Sequence, residues 1–94
     1  MKVSEMCQTQ YDWVEKMGWH NKTVLENLAL IASEVGEAVN ECRGNSPSEN
    51  FASELADIVL RVADLSVQHK IDLEDAIIKK IEANKSRGTK GRVF

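Results

Sequence analysis

Residues 51–68, FASELADIVLRVADLSVQ, constrain the fold more than any other part of the chain. At about 100° per residue, Phe51, Leu55, Ile58, Val62 and Leu65 fall on one side of a helix. Ala56, Val59, Leu60, Ala63 and Val67 carry that surface further round. The apolar arc is roughly 220° wide, about twice what a one-sided surface helix needs. Glu54, Asp57, Arg61, Asp64 and Gln68 fill the narrow remainder. Such a helix has to be covered on more than one side. A chain of 94 residues has little of its own to cover it with. The pattern therefore predicts a central helix in a homo-oligomer.

The rest of the chain is helical too. Strand-type alternation is absent, and a 3.6-residue period runs almost throughout. A first helix is expected over residues 2–17, with Val3, Met6, Cys7, Val14 and Met17 as its stripe and Gly18 as its stop. Thr23 and Glu26 have the spacing of a capping box and open a second helix that runs to about Arg43, with Gly44 following its end. Leu28, Ile31, Val35, Ala38 and Cys42 form its main apolar stripe. In the loop, Ser46, Pro47 and Glu49 read as the cap, first residue and capping-box partner of the third helix, which reaches about His69. Asp72 and Asp75 cap a fourth, ending near Ser86. The reading is a single all-α domain over residues 1–94, with 88–94 as a flexible basic tail.

Charge is unevenly placed. Residues 1–78 carry 6 bases and 14 acids, and residues 79–94 carry 6 bases against Glu82 alone. The acidic body argues against nucleic-acid binding, which needs a basic surface. Cys7 and Cys42 match no metal or redox spacing, and no signal peptide or long apolar run is present. A cytoplasmic protein with reduced thiols and no membrane partner is expected.

The acids of the second helix raise a chemical question. Glu34, Glu37 and Glu41 share one face with no Lys or Arg at i±3 or i±4, although like charges at that spacing cost a helix roughly 0.2–0.5 kcal/mol per pair. The second and third helices are joined by a short loop and should lie antiparallel. Glu34 and Glu37 then face Glu54 and Asp57 across the groove, at similar distances from the loop. Isolated pairs of this kind are usually just solvated. Four together, with Glu54 at the margin of an apolar surface, call for a cation. All-oxygen ligands suit Mg²⁺, or Mn²⁺, over zinc.

On the fourth helix, Lys80, Asn84 and Arg87 fall within roughly 60° of one another. Alone they read as a solvated basic turn that suits the helix dipole. Beside a carboxylate–metal cluster they read as a phosphate clamp. Trp13, Trp19, His20 and Leu30 are candidates for the surface that takes a base. Trp19, in the segment GWHNKT, is less committed to a core than Trp13. His20 in the same segment reads as a solvated loop residue.

The stretches SEVGEAVNECRG, ELADIVLRVADL and KKIEANKSRG resemble the MazG-like, all-α nucleoside triphosphate pyrophosphohydrolase family. The pattern is ExxE, a spacer, ExxD, then Lys, Asn and Arg on one helix. Here it appears as Glu34/Glu37, Glu54/Asp57 and Lys80/Asn84/Arg87, within a resemblance that spans about residues 13–88. Many members carry a further acid just before the first motif, where this chain has Ser33. The resemblance implies four-helix subunits that form a dimer or a dimer of dimers. It implies Mg²⁺-dependent cleavage of a nucleoside triphosphate to monophosphate and pyrophosphate, with deoxynucleotide house-cleaning as the family role. Glu34, Glu37, Glu54 and Asp57 become the metal ligands, and Glu37 or Glu41 the proton acceptor. A phosphoribosyl-ATP pyrophosphatase-like enzyme is the nearest alternative, and a non-catalytic helical interaction module the more distant one.

Overall fold

A computed structural model describes residues 1–88. The basic tail expected over residues 88–94 therefore lies, beyond Gly88, outside the described residues. Four helices make up the fold, and no strand occurs among the described residues: α1 (Val3–Lys16), α2 (Val24–Asn40), α3 (Phe51–Gln68) and α4 (Leu73–Arg87).

Local chemistry sets most of the helix ends. Gly18 adopts φ 74°, and the Gly18 and Trp19 amides return to the Glu15 and Val14 carbonyls at 3.0 and 3.1 Å. This Schellman closure needs a left-handed residue, which Gly supplies without steric cost. At the start of α2, Thr23 Oγ1 accepts from the Glu26 amide at 3.1 Å, and Glu26 Oε1 accepts from the Thr23 amide at 2.9 Å. Asp72 caps α4 through the Asp75 amide at 3.0 Å.

The α2–α3 loop departs from the sequence expectation. α2 ends at Asn40 rather than near Arg43, and α3 starts at Phe51 rather than near Pro47. Asn50 stands at the N-cap position without a side-chain cap bond. The reason lies in Ser48, whose amide donates to the Glu41 carbonyl at 2.9 Å and whose hydroxyl donates to the Glu41 carboxylate. The same hydroxyl accepts from the Asn50 amide at 3.2 Å. These bonds pull residues 41–50 into a closed turn, and Pro47 sits within it. Asn45, at φ 73°, supplies the left-handed step that Gly44 was expected to provide.

α3 is central, packed against both α1 and α2, while α4 rests chiefly on α1. The Ser4 amide donates to Glu74 Oε1 at 3.2 Å, tying the start of α1 to the start of α4. The core is made of small side chains: Ala63 is fully buried, and Cys7, Ala38 and Ser66 nearly so. Small residues let helix axes approach closely. The Ser66 hydroxyl is satisfied within its own helix by the Ala63 carbonyl at 2.7 Å. Cys7 and Cys42 are both free thiols.

Much of the apolar surface is left uncovered. Leu28 and Val35, assigned above to the stripe of α2, are about half exposed, as are Leu55 and Val59 of α3. Val35, Val39, Phe51, Leu55 and Ile58 line a shallow groove along α2 and α3. On α4, Ile77, Ile78 and Ile81 are open to solvent. The radius of gyration is 15.4 Å, against about 12 Å for a compact chain of this length. No helix among the described residues is long and apolar enough to cross a membrane.

Candidate active site

The antiparallel pairing of α2 and α3 brings their acids together. Oxygens of Glu34, Glu54 and Asp57 all lie within 4.8 Å of one another. Glu34 Oε2 and Glu54 Oε2 are shielded from solvent and have no hydrogen-bond partner. Burial raises the Glu54 pKa above the usual carboxylate range, and the charges of Glu37, Asp57 and Glu34 raise it further. Glu37, on the exposed side of α2, acts on Glu54 by charge and through a side-chain hydrogen bond, although it is not one of the close group of three. Glu41 follows the last residue of α2, and its carboxylate is engaged with Ser48 in the loop.

One base enters this cluster from across the groove. Arg61 Nε donates to Glu34 Oε1 at 3.0 Å. The absence of bases at helical spacing around Glu34 is real, but Arg61, 27 residues away, supplies the positive charge. On its own helix, Asp57 and Asp64 stand at helical spacing from Arg61. Asp64 instead bonds His20 and Gln68, at 2.7 and 2.8 Å.

A cleft of about 490 Å³ opens beside the acids, within the range of small-molecule sites. Glu34, Asp57, Arg61 and Asp64 form its polar wall, and Trp13, Trp19 and Leu30 line it as well. Trp13 and Trp19 meet edge to face, with ring centroids 5.0 Å apart and planes at 86°. Lys22 and Asn27 also line the cleft. Nothing in the sequence marked them, since one Lys in a loop and one Asn on a helix carry no spacing signal.

The α4 face is elsewhere. Arg87 Nη2 donates to Asn84 Oδ1 at 2.7 Å, and Arg87 Nε is shielded without a partner. Lys80 is exposed. None of the three lines the cleft, because α4 leans on α1 and not on the α2–α3 groove.

His20 is not a solvated loop residue. Its side chain is only 13% exposed, and both ring nitrogens lie 2.7 Å from carboxylate oxygens, Nδ1 from Glu15 and Nε2 from Asp64. The ring stacks on Tyr11, with centroids 4.5 Å apart. A single-chain reading could not have found Asp64, which is 44 residues distant.

The description "MazG nucleotide pyrophosphohydrolase domain" matches residues 22–89. The chain is a member of the MazG family. The match takes in all the clustered acids and the α4 face, and leaves Trp13, Trp19 and His20 outside it. MazG membership supports a nucleotide pyrophosphohydrolase, and enzymes of this family generally depend on a divalent metal. No curated protein and no solved structure gives a significant match.

Proposed function

We propose that this MazG-family chain hydrolyses a nucleoside triphosphate, with deoxynucleotides preferred, to the monophosphate and pyrophosphate in a Mg²⁺-dependent reaction. The observation that carries the reading is the close trio Glu34, Glu54 and Asp57, of which Glu34 and Asp57 line a cleft that is also lined by Trp13 and Trp19. The donor set fits a hard divalent cation: only carboxylate oxygens, two of them shielded and unpartnered. Glu34, Glu54 and Asp57 would hold it, with Glu37 alongside. Bound there, Mg²⁺ or Mn²⁺ would stabilise developing phosphate charge and lower the pKa of an attacking water.

The chain's own groups divide the remaining work. Glu37, exposed next to the trio, accepts the water's proton. Glu41 is held back by Ser48 and shapes the loop. Trp13, Trp19 and Leu30 offer a flat apolar surface to a base. Lys22 and Arg61 are cations already at the cleft and meet phosphate oxygens there.

Lys80, Asn84 and Arg87 reach a cleft only from a second copy of the chain. The half-exposed Val35, Leu55 and Val59 and the open isoleucines of α4 are the surfaces that copy would cover. A homodimer or dimer of dimers follows.

The test is product analysis. The protein is incubated with each dNTP and NTP, with Mg²⁺ or EDTA, and the products are separated. Monophosphate and pyrophosphate, formed only with metal, are expected. Release of orthophosphate, or no turnover of any nucleotide, would refute the proposal, and the second result would favour a helical interaction module.

A further inference from the structure

The connection between α1 and α2 has no regular structure, yet it carries Trp19 and Lys22 to the cleft. A loop with exposed tips is ordinarily the most mobile part of a small domain. This one is pinned at its centre. His20 reaches back to Glu15 near the end of α1 and across to Asp64 on α3, while its ring lies on Tyr11. Asp64 is fixed in turn by Gln68 Nε2 at 2.8 Å.

The geometry also sets the proton count. Ionised carboxylates only accept hydrogen bonds. A ring nitrogen can bond to one only by donating, so two such bonds need both nitrogens protonated. The bonded form is the imidazolium. The groups against the ring are Glu15 and Tyr11 from α1 and Asp64 from α3. Lys22, in the same loop, is turned to Asn21 Oδ1 at 3.3 Å.

We propose that His20 is a positioning residue: as an imidazolium tied to Glu15 and Asp64, it holds Trp19 and Lys22 at the cleft and makes nucleotide affinity fall as it loses its proton. Losing that proton breaks at least one of the two bonds, because a neutral imidazole has a single N–H. The loop is then tied to α1 or to α3 but not to both. The proposal rests on the cleft being the nucleotide site, but the state of His20 does not.

Two measurements separate those claims. Ring ¹⁵N NMR of the ligand-free protein reads both His20 nitrogens directly. Both are expected to be protonated at neutral pH, and the Trp19 indole resonance is expected to titrate with them. In His20→Gln that indole shift should become independent of pH. A single neutral tautomer at pH 6, or a Trp19 resonance indifferent to His20, would overturn the proposal whatever the enzyme does. The second measurement compares KM for the hydrolysed nucleotide in His20→Gln and the native protein at each pH, which cancels the pH dependence of the chemistry. The ratio should be about tenfold at acid pH and approach one above the His20 titration, with kcat little changed. A ratio flat with pH, or a loss confined to kcat, would overturn the positioning role. If no nucleotide is turned over, the pyrophosphohydrolase reading fails, while the NMR result still decides the loop attachment.

Discussion

Replacing Arg61 with Gln tests the electrostatics of the acid cluster most directly. Arg61 gives Glu34 its one charged hydrogen bond, at 3.0 Å, and the other Glu34 oxygen has no partner. The Glu34 side chain is 14% exposed, but the Arg61 side chain is 41% exposed, so solvent screens the pair. Its contribution should fall near the upper end for a surface ion pair, about 1 kcal/mol. In a domain of this size that lowers Tm by about 4–8 °C. The assay is thermal melting in EDTA and again in saturating Mg²⁺. In EDTA the full loss is expected, because Glu34, Glu54 and Asp57 lose a nearby positive charge. In Mg²⁺ the gap should narrow, since a cation bound to the same oxygens restores it. Equal losses in both buffers would show that Arg61 supports the fold independently of the cluster. No loss in EDTA would show that the pair contributes nothing.

Three further outcomes are expected. Glu54→Gln removes one negative charge from a trio packed within 4.8 Å, so it should raise Tm in EDTA while abolishing both the Mg²⁺-induced rise in Tm and Mg²⁺-dependent pyrophosphate release. For His20, burial lowers the pKa, but the hydrogen bonds and charges of Asp64 and Glu15 outweigh it and leave it raised. The folded state therefore binds that proton more tightly than the unfolded chain. The His20 contribution to stability is full below about pH 6.5 and is lost as pH rises through the folded-state pKa, a slope that denaturant titrations should show in the native protein and not in His20→Gln. Finally, Glu54→Gln and the double variant Lys80→Ala/Arg87→Ala should each be inactive alone, and mixing the two under subunit-exchanging conditions should restore a fraction of activity. No recovery after verified exchange would place both residue sets in the same subunit's site.

The legible parts of this fold were those encoded within a few residues. Thr23 with Glu26 and Asp72 with Asp75 are three apart, and each pair forms the cap its spacing announces. The width of the apolar arc on Phe51–Gln68 called for cover on more than one side, and α3 packs against both α1 and α2. The α2–α3 loop was misread because Ser46, Pro47 and Glu49 satisfy a capping rule locally, while Ser48 has a better offer from Glu41, seven residues back. The proximity of Glu34, Glu54 and Asp57 was legible because antiparallel pairing maps one helix period onto another. Arg61 against Glu34 and His20 against Asp64 were not found, because both pairings depend on how side chains rotate across a helix interface. No sequence period records that rotation. On α4, Arg87 and Asn84 do meet, but the distance of that face from the cleft follows from α4 leaning on α1.

Among the described residues no large side chain is fully buried, and the innermost position is held by the methyl group of Ala63. If a second copy completes the core, dilution acts on this protein as a denaturant, and its melting temperature becomes a function of how much of it is present. Each apolar substitution on the α2–α3 groove would then be felt once in the chain that carries it and again in the chain that meets it. The cell would control the amount of working enzyme through subunit abundance as steeply as through the chemistry of the site.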